Sequence, residues 1–72
     1  MTNEQQKNLK VGDIIRWETQ GDSFCLDIIV RVAKLFVETK VLDTNYWGCS
    51  IGREERIERG SLTSKDWTLI AN

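Results

Sequence analysis

The chain has 72 residues, 10 Lys and Arg against 11 Asp and Glu, a net charge of -1, and no His or Pro. Lacking imidazole, it is excluded from the Ser-His-Asp and Cys-His classes of hydrolase, which move protons through that side chain near neutral pH. Near-neutral charge also argues against long duplex nucleic acid as a partner, because its attraction comes chiefly from phosphate neutralisation.

Residues 1 to 8 are polar and aperiodic, so they read as a flexible N-terminal lead-in with little structure. They lack the apolar segment of a secretory signal, and cytoplasm is the expected location, the host cytoplasm if the chain is phage-encoded. The single domain is expected over residues 9 to 72. Val11 to Glu18 follows a Gly-Asp turn signal and mixes β-branched and aromatic types, with Ile15 and Trp17 on one face and Ile14, Arg16 and Glu18 on the other. This is the first strand. Gln20-Gly21-Asp22-Ser23 clusters turn formers. From Cys25 to Ala33, Ile28, Val30 and Val32 alternate with Ile29, Arg31 and Ala33, the period of a strand. Lys34 and Leu35 turn the chain into a third strand, where Val37, Thr39 and Val41 oppose Glu38, Lys40 and Leu42. The two strands make a hairpin.

Asp43 to Gly52 combines turn-prone residues, two glycines and the adjacent rings of Tyr46 and Trp47, and reads as a loop. Arg53 to Arg59 alternates charge around Ile57, the pattern of a short edge strand protected by charge. A helix from Arg53 to Leu62 is the competing assignment. Thr63 to Asp66 offers a capped single helical turn, and Trp67 to Ile70 closes as the fifth strand. The predicted fold is therefore all-β.

Five strands with one short 3-10 turn before the last resemble the small five-stranded Src-homology-3-like barrels, which include Tudor and KOW modules. The resemblance spans residues 9 to 70 and is carried by the opening Val11-Gly12-Asp13-Ile14-Ile15-Arg16-Trp17 and the closing Ser61 to Ile70. The acidic and aromatic run of proline-peptide binders and the basic loop of ribosomal KOW modules are both missing, so neither ligand carries over.

Glu54 and Glu55 are adjacent on a strand and point to opposite faces, which suits a solvated edge better than paired acid-base chemistry. Asp13, Asp22 and Asp27 lack the spacing of a calcium loop, and the glycines at 12, 21, 48, 52 and 60 are too scattered for a phosphate loop. No catalytic residue, metal or cofactor is expected. Cys25 and Cys49 are read as two reduced thiols. The run Ile28-Ile29-Val30 falls far short of the roughly 20 apolar residues of a membrane span. A core this small favours self-association into a homo-oligomer.

Non-enzymatic binding remains. Trp17 and Trp67 sit in phase with aliphatic residues and are assigned to the core. Tyr46 and Trp47 cover the barrel's open end, meet another subunit, or stack on a planar ligand. Arg53, Glu55, Ile57 and Arg59 share a strand face, so Arg53, Arg56 or Arg59 could meet a compact phosphate while loop rings stack a base at about 1 to 3 kcal/mol. In size, neutrality and lack of catalytic groups the chain also resembles short bacteriophage accessory proteins, among them oligomeric sponges that sequester cyclic nucleotide immune signals without cleaving them. That resemblance implies an anti-defence protein binding a small nucleotide, such as a cyclic dinucleotide. The alternatives are a protein-interaction module that inhibits or recruits a host factor and a weak single-stranded nucleic-acid binder.

Overall fold

A computed structural model describes residues 1–19 and 21–71. Gln20 of the expected first turn and Asn72 at the domain's end lie outside the described residues. The chain runs through a helix α1 (Asn3–Lys7), strands β1 (Ile14–Glu18), β2 (Phe24–Val32), β3 (Phe36–Thr44) and β4 (Glu54–Glu58), a 3-10 turn (Arg59–Thr63), and β5 (Trp67–Ala71). The five strands form one antiparallel sheet in the order β4-β3-β2-β1-β5. No ladder joins β4 to β5 among the described residues, so the sheet is curved but open.

Residues 1 to 8, expected to carry little structure, instead contain α1. A capping box explains it: Gln5 N–H donates to Thr2 Oγ1 at 3.1 Å, and Thr2 N–H donates to Gln5 Oε1 at 3.0 Å. So short a helix has little intrinsic stability and depends on packing. Gln6 supplies it by lying buried against Arg59 at the start of the 3-10 turn.

The Val-Gly-Asp opening forms a turn. Gly12 takes a φ of +96°, and buried Asp13 accepts from Lys10 N–H at 2.8 Å. β2 has the expected length, shifted one residue toward the N-terminus, whereas β3 is longer than expected, taking Asp43 and Thr44 from the anticipated loop. Their ladder slips between Leu26 and Asp27 and between Ile29 and Arg31, irregularities that bend strands and let a sheet curl. Residues 54 to 58 are strand and 59 to 63 a 3-10 turn, which settles the competing helix assignment from Arg53 to Leu62. The turn comes earlier than Thr63–Asp66: Ser61 Oγ donates to Glu58 O, Thr63 Oγ1 donates to Gly60 O, and Leu62 is driven into the core.

The inner face changes character along its length. At one end Leu9, Ile15, Ile29, Val37 and Leu62 form the buried core, with Ile57 and Leu69 packed against it. At the other, Trp17 pairs with Trp67 on one side and Cys25 on the other. No helix among the described residues is long and apolar enough to cross a membrane.

Candidate functional site

The aromatic end of the inner face encloses a cavity of about 190 Å3, lined by Trp17, Cys25, Asp27, Tyr46, Cys49, Glu55 and Trp67. Each wall has a local cause. Trp17 and Trp67 are cross-strand neighbours with ring centroids 6.5 Å apart at 42°, both half-buried. Tyr46 reaches Trp17 edge-on, at 5.7 Å and 69°. Its backbone is fixed by Thr44, whose hydroxyl accepts from Tyr46 N–H at 3.0 Å and donates to Phe24 O at 2.8 Å. Asn45 ties the same loop to the β1–β2 turn, accepting from Phe24 N–H and donating to Asp22 O, each at 2.7 Å. Gly48 is required beneath the Tyr46 ring, since a Cβ there would stand 2.5 Å from Tyr46 Cε2.

Asp27 is 1% exposed. Its Oδ2 accepts from Thr39 Oγ1 at 2.7 Å, while its Oδ1 has no hydrogen-bond partner among the described residues. Thr39 faces Glu55 across the β3–β4 ladder, so Asp27, Thr39 and Glu55 form a polar band across three strands. A buried acceptor left unpaired costs on the order of 1 to 3 kcal/mol, and native structures hold few of them. Glu55 is half-buried and pairs with Arg53 Nε at 3.7 Å.

Cys25 and Cys49 are free thiols, the first buried and the second half-buried. Burial pushes the Cys25 thiol up to about 12, with a hydrogen bond to Cys49 adding to the shift, so it stays protonated and unreactive at neutral pH. Among the described residues no three His, Cys, Asp or Glu side chains are grouped to hold a metal ion.

The residues singled out from sequence fall in different places. Tyr46 forms a cavity wall. Trp47 is 91% exposed beside it, with ring centroids 5.6 Å apart. Arg53 stands close by, its Nη1 donating to Gly48 O at 3.3 Å. Arg56 is elsewhere, on the outer face, over the Phe36 ring at 4.3 Å and 3.5 Å from Glu38. Arg59 is drawn into the fold: Nε donates to Gln6 Oε1 at 3.2 Å, Nη2 to Gln6 O at 2.7 Å, and Nη1 to Ala33 O at 3.0 Å. The three arginines therefore do not converge, and Arg53 alone is near the cavity. A larger concavity of about 580 Å3, lined by Leu35, Phe36, Arg56, Glu58 and Gly60, has its arginine already paired and stacked.

Sequence reasoning passed over Trp17, Asp27, Glu55 and Trp67 as site residues. A signal for Asp27 was present, because a carboxylate in phase with Cys25 and Ile29 lies on the face that must be buried. No protein-family model, curated protein or solved structure matches the chain.

Proposed function

We propose that this protein is a non-enzymatic binding module, a small Src-homology-3-like barrel that sequesters a compact nucleotide-type signal at its aromatic end. The observation that carries the reading is the unpaired Oδ1 of buried Asp27 in a cavity walled by Trp17, Tyr46 and Trp67. Whole drug-sized ligands fill cavities of about 300 to 1,000 Å3, so a site of about 190 Å3 suits one ring, with the remainder of the ligand outside. There Trp47 offers an exposed face and Arg53 a cation for phosphate. The strand order and the 3-10 turn preceding β5 support the barrel reading.

Oligomeric sequestration, the anti-defence sponge mode, draws support from Val11, Val30, Leu42 and Ile70, which remain exposed on so small a domain. Native mass spectrometry of the protein with a panel of cyclic dinucleotides tests this reading. An oligomer retaining intact ligand, with retention lost in Tyr46→Ala, is the expected result. A ligand-free protein at millimolar nucleotide would overturn it.

A protein-interaction module is the second reading, favoured by Trp47 and Ile51, exposed in one loop at 91% and 68%. Exposed aromatic anchors of this kind dominate interface energetics. A stoichiometric protein partner released by Trp47→Ala, with no small molecule bound, would select it.

A further inference from the structure

Resting on the binding reading above, we infer that the cavity reads a planar guanidine-type edge, the paired N–H donors on one carbon that a guanine base or an arginine side chain presents. The polar side-chain atoms offered by Asp27 and Glu55 are carboxylate oxygens, which in their ionised form only accept hydrogen bonds. A group seated between them must therefore bring donors. Oδ1 of Asp27 has no partner among the described residues, so one donor is needed deep in the site. Glu55, three-tenths exposed and held by Arg53 from one side, can take a second nearer the mouth.

This requirement separates otherwise similar ligands. Adenine and cytosine place a ring acceptor beside their amino group, which would set lone pair against lone pair. Uracil and hypoxanthine offer one ring N–H without an adjacent amine. Guanine offers N1–H and an N2 amine side by side. A quaternary ammonium suits an aromatic enclosure but has no N–H to give, so it would leave Asp27 Oδ1 unpaired in the complex. Arginine meets the same requirement as guanine, since its guanidinium binds carboxylates in a bidentate manner and stacks on aromatic faces. The wall rings stand at 42° (Trp17 and Trp67) and 69° (Trp17 and Tyr46) to one another rather than parallel, so they box a small flat group instead of sandwiching a large one.

Titration of the full chain, followed by its tryptophan fluorescence and by calorimetry, tests the inference with five probes: guanosine, inosine and adenosine monophosphates, N-acetylarginine amide and tetramethylammonium. The expected result is at least tenfold tighter binding of guanosine monophosphate than of the inosine and adenosine forms, or of the arginine amide than of tetramethylammonium. The first preference identifies a base and the second a side chain. In either case Asp27→Asn should lower the affinity at least tenfold while leaving the unfolding midpoint intact. Equal binding of all three nucleotides, with no preference for the arginine amide over tetramethylammonium, overturns the inference yet leaves nucleotide binding standing. Tetramethylammonium outcompeting the arginine amide overturns it in favour of a rounded cation. No binding of any probe at millimolar concentration overturns both the inference and the nucleotide reading.

Discussion

At the aliphatic end of the inner face, Arg59 brings three donors to Gln6 Oε1, Gln6 O and Ala33 O, whereas at the aromatic end Asp27 holds an acceptor that nothing among the described residues meets. Both are ionisable groups drawn into one small sheet, and their surroundings differ. Arg59 closes the junction of α1, the β2–β3 turn and β4, so its hydrogen bonds serve the fold. Asp27 lines a cavity whose other walls are three rings, the thiols of Cys25 and Cys49, and a second carboxylate. A small domain has little stability to spare, so an unpaired buried acceptor is tolerated where it serves binding. The same polarity thus stabilises at one end and, on the proposed binding reading, is held for a ligand at the other.

The contrast is sharpest in substitutions that remove each group. Arg59→Met deletes three charge-assisted hydrogen bonds and leaves two backbone carbonyls short of a donor. It should cost about 3 kcal/mol, enough to bring the domain close to unfolding. An unfolding free energy from urea titration lowered by less than about 1 kcal/mol would show that α1 docks without it. The corresponding operation at the other end has the opposite sign. Replacing Asp27 and Thr39 together by Leu and Val removes the orphan acceptor with its hydroxyl partner and should stabilise by about 2 kcal/mol. Ligand binding should be lost in the same variant. A destabilised double variant would mean that the polar band of Asp27, Thr39 and Glu55 holds the sheet together.

The fold was largely legible because strands of period two, turn formers between them and a charged edge are local signals. Ile15 and Trp17 share a face as expected, and Glu54 to Glu58 is the edge strand that its alternating charge implied. The helix at Asn3–Lys7 was missed because its signal is a capping box, not apolar periodicity, and because its buried contact, Gln6 with Arg59, joins residues 53 positions apart. The same distance effect hid the site. Alternation put Arg53 and Arg59 on one strand face, but it carried no information that the strand spans only Glu54–Glu58 and that Arg59 enters a 3-10 turn. Nor could it show that Tyr46 folds back on Trp17, a contact set by Thr44 and Asn45 bridging two loops.

The aromatic end can also be perturbed without touching its charges. In Gly48→Ala the new Cβ would stand 2.5 Å from Tyr46 Cε2, so the ring must swing away from Trp17. Overpacking of this kind costs about 1 to 2 kcal/mol. Tryptophan emission should shift and nucleotide affinity should fall with it. An unchanged spectrum would show that the loop yields in place of the ring, and that Tyr46 is not a fixed wall.

Cys25 gives the smallest effect and a test of how dry the cavity floor is. Burial and the neighbouring Cys49 keep its thiol protonated to about pH 12 in the folded protein, against 9.0 ordinarily. Between those values the unfolded chain binds fewer protons than the folded one, so stability is fully present below pH 9 and declines as pH rises. The loss should be about 1 kcal/mol on going from pH 8.5 to 10, read as the difference in urea midpoint between the reduced protein and Cys25→Ser, whose hydroxyl does not ionise in this range. Taking that difference cancels the ionisations elsewhere in the chain that both proteins share. A parallel pH response in the two proteins would mean that solvent reaches Cys25 freely. Asp27 shares that cavity floor, so its Oδ1 would then be hydrated and the case for a donor-bearing ligand would fail with the dry pocket.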